Sequence, residues 1–483
     1  MQISVIPEPK RIIEDGGGAA KAAVIERKID QKLQEEEYRL RLNKDGISIA
    51  GGSERACLYA EATIEQLKVQ CPERLPCLTI EDRPSHPWRA FHIDCARHFF
   101  PSDELKKMIK MCAHFKMNRF HWHFMDDQGW RIECSRYPLL HQIGAVRKGD
   151  HFGCYHSEEI EDRYYTRDEV KEIVSYCESL GIEVVPEVDM PGHATAILAA
   201  YPELGCHGKK MEVATRQGIF RDILCCGKEE VFTFIENVLD DLMDLFPSKY
   251  FHIGGDEAPK ERWKKCPLCQ KRMEQEGLAN MQQLQGYMEN RIAAYLKERG
   301  RMAVVWNEAA NGGNLDPDTI VQLWIEDKEH MVEYHLAKGG KAILSPVKNC
   351  YCDYPYGVTS LETVYQLDDS PGELAEVKDR ILGTECLAWT EYIRDAGKLE
   401  TMCWPRYAAS AEVGWCGKER PGYLSFEKRL KALLPLFEAY GIQITEESGW
   451  VLPEEEAKRQ KEEFQKNFSE ESREELKKVQ EEI

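Results

Sequence analysis

The chain has 483 residues, 42% hydrophobic and 31% charged, a soluble globular balance with room for one large domain and a smaller one. Its net charge of −20 argues against nucleic acid and anionic membranes as partners, since both call for a basic surface. No run approaches the roughly 18 apolar residues of a membrane span, and Met1–Lys10 lacks the basic start and apolar core of a signal peptide, so the expectation is a cytoplasmic protein.

Residues 1–83 read as a small α/β unit. Tyr38–Leu42 and Ile47–Ile49 alternate apolar and polar residues around Asn43-Lys-Asp-Gly46, the pattern of a hairpin. Ser53 then caps a helical stretch running to about Val69. Asp82-Arg-Pro-Ser-His-Pro87 is punctuated by proline and marks a boundary.

From 84 to 420 short apolar strands alternate with amphipathic helices. The strands centre on Ala90–Ile93, Arg119–Phe124, Ile182–Val188, Tyr250–Ile253, Met302–Val305, Thr319–Leu323, Ala342–Leu344 and Cys386–Ala388. The clearest helices are Ser102–Phe115, Thr166–Leu180, Glu229–Leu245 and Met281–Arg299. Eight such strands predict an α/β fold, a (β/α)8 barrel. It is irregular after the fifth strand, where the connection is too short for a full crossover helix. Residues 421–483 read as a helical tail; its charged part, Pro453 to Ile483, where Phe464, Phe468, Leu476, Val479 and Ile483 form a thin apolar stripe, reads as a solvated terminal helix with a dimer contact as the alternative.

In such a barrel the chemistry lies at the C-terminal strand ends. Those ends carry Asp94 and Arg97, then His121, His123 and Asp126, then Glu187, Asp189 and His193. Asp256 and Glu257 follow, then Trp306, Trp324, Tyr351, Asp353, Trp389 and Glu391. Aromatic walls with hydrogen-bonding acids and an arginine suit a pyranose, which offers an apolar face to stack and hydroxyls to bond. Adjacent Asp256 and Glu257 are costly to ionise together, so their pKa values should separate. His121 and His123 raise a metal-dependent hydrolase as an alternative, but their position points to support of the neighbouring acids. Cys266-Pro-Leu-Cys269 has zinc-knuckle spacing, with Cys206-His207 and Cys225-Cys226 as candidates to complete a site. Without a second matched pair, the expectation is reduced thiols and no metal.

His252-Ile-Gly-Gly-Asp-Glu257, Asp94-Cys-Ala-Arg-His-Phe-Phe100, Phe120-His-Trp-His-Phe-Met-Asp-Asp127, Pro191-Gly-His193, Tyr351-Cys-Asp353 and Trp389-Thr-Glu391 all fall within residues 84–417. Together they resemble the β-N-acetylhexosaminidases of glycoside hydrolase family 20. The resemblance implies a retaining exo-hydrolase that removes terminal N-acetylglucosamine or N-acetylgalactosamine from small oligosaccharides, using no cofactor. Its nucleophile is the substrate's own 2-acetamido oxygen, an exception to the two-carboxylate scheme. It implies Glu257 as general acid and base, Asp256 as the residue that orients the acetamido group, and Asp126 and His193 as a chain tuning Glu257. Arg97, Asp353 and Glu391 would hold sugar hydroxyls, Tyr351 the acetamido oxygen, and Trp306, Trp324 and Trp389 the pocket walls. A sugar-binding barrel without catalysis and a disaccharide-releasing hydrolase remain open, as do the preferred epimer, the aglycone and the oligomeric state.

Overall fold

The computed structural model describes residues 3–72, 74–153, 155–325, 329–369 and 372–467. The N-terminal unit is a five-stranded sheet in the spatial order Arg11–Ala20, Leu75–Asp82, Tyr38–Leu42, Ile47–Gly51, Val24–Ile29. The expected hairpin is present, pairing Leu40 with Ile49 and Leu42 with Ile47 so that all four bury on one face. Ser53 caps helix Glu54–Gln70 by accepting from the Ala56 amide. Three strands, Arg11–Ala20, Val24–Ile29 and Leu75–Asp82, escaped the pattern, the first two for a visible reason. Arg11–Ala20 carries three glycines and a register shift, and every residue of Val24–Ile29 is exposed, so neither alternates cleanly.

Eight parallel strands close the barrel: Trp88–Asp94, Arg119–His123, Glu183–Glu187, Tyr250–His252, Met302–Trp306, Ile320–Leu323, Lys341–Leu344 and Ile381–Cys386, the last pairing with the first. The four clearest predicted helices lie at Ser102–His114, Arg167–Ser179, Glu229–Met243 and Met281–Glu298. Only the 3-10 turn Asn307–Gly312 links the fifth and sixth strands, the irregularity expected from the short connection. The eighth strand begins earlier than its apolar residues suggest. Gly383 (φ +149°) sits in it where a Cβ would lie 1.9 Å from the Trp88 carbonyl oxygen, and Glu385 is fully buried beside it. A glycine and a buried acid disguise that strand as a loop.

The C-terminal region departs further from expectation. Helix Glu454–Asn467 packs back on the barrel face: the Gly357 amide donates to Gln460, and the Phe464 ring lies 4.6 Å from that of Tyr354. Phe468, Leu476, Val479 and Ile483 lie outside the described residues. Among the described residues no helix is long and apolar enough to cross a membrane.

Candidate active site

The first strand ends at Asp94, whose Oδ1 accepts from the Ala96 and Arg97 amides and folds the following turn. That turn aims Arg97 across the barrel mouth. Its guanidinium bonds Asp126 (2.7 Å), Asp94 (3.2 Å) and Gln128 (2.8 Å), and lies 3.8 Å from Glu391. Asp94 Oδ2 also accepts from the Thr390 amide, which fixes Trp389 and Glu391 to the same corner.

The fourth strand delivers the acids. Gly254 (φ +74°) and Gly255 (φ +107°) turn the chain sharply, and a Cβ on Gly254 would sit 1.7 Å from Asp189 Oδ1. Glu257 itself adopts φ +42°, an uncommon conformation for a non-glycine residue and one that recurs at functional sites. His193, at φ +46°, has Nε2 3.5 Å from Glu257 and 3.7 Å from Asp256. Its Nδ1 bonds Asp126 at 3.1 Å, and Asp126 is held in turn by His123 at 3.0 Å. The hydrogen-bonded part of the chain runs from His123 through Asp126 to His193, whose Nε2 stands 3.5 Å from Glu257 without a hydrogen bond to it among the described residues.

The electrostatics divide these groups by role. Burial would lower His193, but the carboxylates of Asp126, Asp127 and Asp256 outweigh it and hold the imidazole well above its ordinary pKa. Burial would raise Asp126, yet Arg97 and His193 hold it well below the usual carboxylate range. Asp256 goes the other way: burial, with the charges of Glu257 and Glu187, pushes it up to about 6 against the pull of His193. Asp353 and Glu391 are also raised, chiefly by burial.

These side chains line one cavity of about 540 Å³, with Trp324, Tyr351 and Trp389 among its walls. The Trp324 and Tyr351 rings stack 6.2 Å apart. Asp256 Oδ1, Asp353 Oδ1 and Trp389 Nε1 are buried around it with no hydrogen-bond partner among the described residues. Buried polar atoms are rarely left unpaired, and these suit a polyhydroxylated ligand.

Trp306 is placed differently from the expectation. It lies beneath the wall rather than in it, 5.9 Å from Trp389, and donates its indole N–H to Glu187 at 2.8 Å. Glu187 is the centre of a buried polar floor, within bonding reach of His121, His123 and His252. His121 also bonds Glu385 at 2.6 Å, so both histidines of the His-Trp-His strand are engaged by carboxylates.

Sequence reading missed several lining residues. Gln217, Gly218 and Ile219 come from a loop without regular pattern, while Lys348, Tyr354 and Tyr392 adjoin the residues singled out. Phe464 arrives from the C-terminal helix. Glu308, which supports the wall through Trp324 and does not itself line the cavity, stands two residues beyond Trp306 at the fifth strand end and was also missed. It accepts from Trp324 Nε1 at 2.7 Å, and burial, with the charges of Asp256 and Glu257, pushes it up to about 8.

Comparison with known proteins agrees with this architecture. Residues 86–418 match the model of the glycosyl hydrolase family 20 catalytic domain, and residues 8–83 match domain 2 of that family. A β-hexosaminidase of Porphyromonas gingivalis is 36% identical over 433 residues, covering 85% of this chain and 54% of its own length. One of Akkermansia muciniphila is 35% identical over 444 residues, covering 89% of each chain. A crystallised β-N-acetylhexosaminidase superimposes with a TM-score of 0.87 at 33% identity, over 94% of this chain and 99% of its own. A barrel with this acid pair, this family match across its core and relatives of this closeness belongs to glycosyl hydrolase family 20.

Proposed function

We propose that the protein is an exo-acting, retaining β-N-acetylhexosaminidase that releases terminal N-acetylhexosamine from small glycosides by substrate-assisted catalysis. The observation that carries this reading is the placement of Asp256 and Glu257 on consecutive residues at one strand end, with Tyr351 and Trp324 lining the same cavity. Adjacent acids are not arranged to flank a glycosidic bond as separate nucleophile and acid, so the nucleophile is best supplied by the sugar.

Glu257 donates a proton to the leaving oxygen as the 2-acetamido carbonyl oxygen attacks the anomeric carbon. The C–O bond to the aglycone breaks and an oxazolinium forms. Asp256, ionised, accepts from the acetamido N–H and stabilises the positive charge as it develops. Glu257 then takes a proton from water, which opens the ring with net retention. Arg97, Asp353 and Glu391 hold the sugar's outer hydroxyls. Phe464, Tyr392 and Lys348 line the same cavity and are available to hold the aglycone.

The test is a panel of aryl β-glycosides with and without the 2-acetamido group. Turnover only when the group is present is the expected result, and equal turnover of both series overturns the substrate-assisted step. Glu257→Gln and Asp256→Asn should each lower kcat at least about a hundredfold. Binding of N-acetylglucosamine with no turnover by the parent protein would instead indicate a sugar-binding barrel.

A further inference from the structure

The cysteines read from sequence as separate reduced thiols come together in the fold. Cys206, Cys225, Cys266 and Cys269 bring all four Sγ atoms within 4.8 Å of one another. Three of the separations are 4.0 Å (Cys206 to Cys269), 3.8 Å (Cys225 to Cys266) and 3.6 Å (Cys225 to Cys269). A disulfide would need about 2.05 Å. Four thiolates about 2.3 Å from one tetrahedral zinc ion stand about 3.8 Å apart, the spacing found here.

We infer that these four cysteines form a structural zinc site outside the catalytic cavity. The backbone around them is built for it. Gly227 packs so closely on the opposite segment that a Cβ would lie 2.3 Å from the Leu268 carbonyl carbon and 2.4 Å from the Cys269 amide nitrogen. Only glycine lets the two cysteine-bearing segments meet at that distance. Cys266 is the N-cap of helix Pro267–Glu276 and Cys269 lies in its first turn, where free amides favour thiolate charge. With no open position left on the metal, the site is a staple and not a catalyst.

What it holds together is specific. Cys206 and Cys225 bracket the loop that carries Gln217, Gly218 and Ile219 to the cavity wall. Cys266 and Cys269 stand shortly after Asp256 and Glu257 in the chain. None of the four lines the cavity. The metal would close the base of one wall loop and clamp it to the segment that follows the acid pair. Loss of the metal should therefore raise KM more than it lowers kcat.

Elemental analysis of protein expressed in zinc-supplemented medium should give close to one zinc per chain. Cys225→Ser and Cys269→Ser should lose it, while Cys226→Ser, adjacent but outside the quartet, should keep it. The native protein offers a measurement that does not depend on the variants folding. A mercurial thiol reagent should release the zinc, and cobalt(II) added after excess thiol has removed the mercurial and been dialysed away should give the intense visible bands of a tetrahedral tetrathiolate. Zinc well below stoichiometry with four reactive thiols, a disulfide found by mass spectrometry, or an octahedral cobalt spectrum would overturn the proposal.

Discussion

At Asp256 the barrel places a carboxylate where ionisation is both needed and costly. The proposed mechanism uses the charged form, yet burial and the neighbouring acids hold the group up to about 6. The acid limb of kcat/KM on an aryl N-acetylhexosaminide is therefore expected near pH 6, with activity rising as Asp256 loses its proton. His193 is the cation that pulls Asp256 downward. Replacing it by His193→Gln removes that pull, so the limb should move to higher pH while kcat falls. A limb that stays in place would show that another group governs it. The same ionisation weakens the fold. A carboxylate raised from about 3.8 in the unfolded chain favours the native state only while protonated, so its destabilising effect grows as pH rises through that window and is complete above about 6. Asp256→Asn should accordingly unfold at higher denaturant than the parent at pH 8, by about 1–3 kcal/mol, while losing activity. A variant that is both inactive and less stable would point to damage in place of lost charge.

Elements differ in how far their placement can be read locally. The four amphipathic helices and most barrel strands follow from periodicity, because one face or both faces of each element bury apolar residues. The acid pair was legible for a related reason: a strand that ends in glycine and paired acids leaves little freedom for where they point. The helix Glu454–Asn467 shows the limit. Its composition is mostly charged, so a solvated helix is the local reading, and only the tertiary contact gives Phe464 its place in the cavity lining. Gly357 makes that contact feasible, since a Cβ there would lie 2.7 Å from the Ala457 carbonyl oxygen. Phe464, beside Tyr354 and 6.0 Å from Tyr392, offers a stacking face to a sugar or other ring beyond the cleaved bond. Phe464→Ala should raise KM for a disaccharide substrate roughly five- to tenfold, the worth of one aromatic contact. Its effect on the methyl glycoside, which has no ring in that position, should be small. Equal effects on both substrates would remove the helix from aglycone binding.

At the scale of the whole molecule, the small unit and the barrel share a buried polar seam that no periodicity reveals. Its residues come from distant parts of the chain. Asp82 and Lys116 form an ion pair at 3.2 Å, both fully buried. Asp82 also accepts from the Tyr38 hydroxyl at 2.9 Å and from Trp415 Nε1 at 3.0 Å. Nearby, Arg89 bonds Glu36 at 2.8 Å, and Gln66 donates to the His114 carbonyl at 2.8 Å. The sequence marks Asp82-Arg-Pro-Ser-His-Pro87 as a boundary, but the structure makes Asp82 a joint. A buried pair adds little net stability compared with apolar packing, whereas removing one partner strands the other charge. Asp82→Ala should therefore cost about 3–5 kcal/mol in urea unfolding. Because the seam belongs to both units, the loss should not be confined to the small one. Native-state hydrogen exchange can separate the two cases. If the seam couples the units, amides of helix Glu54–Gln70 in the small unit and of helix Ser102–His114 on the barrel should lose protection by the same free energy. If only the first helix loses protection, the small unit opens independently and the seam is a local contact.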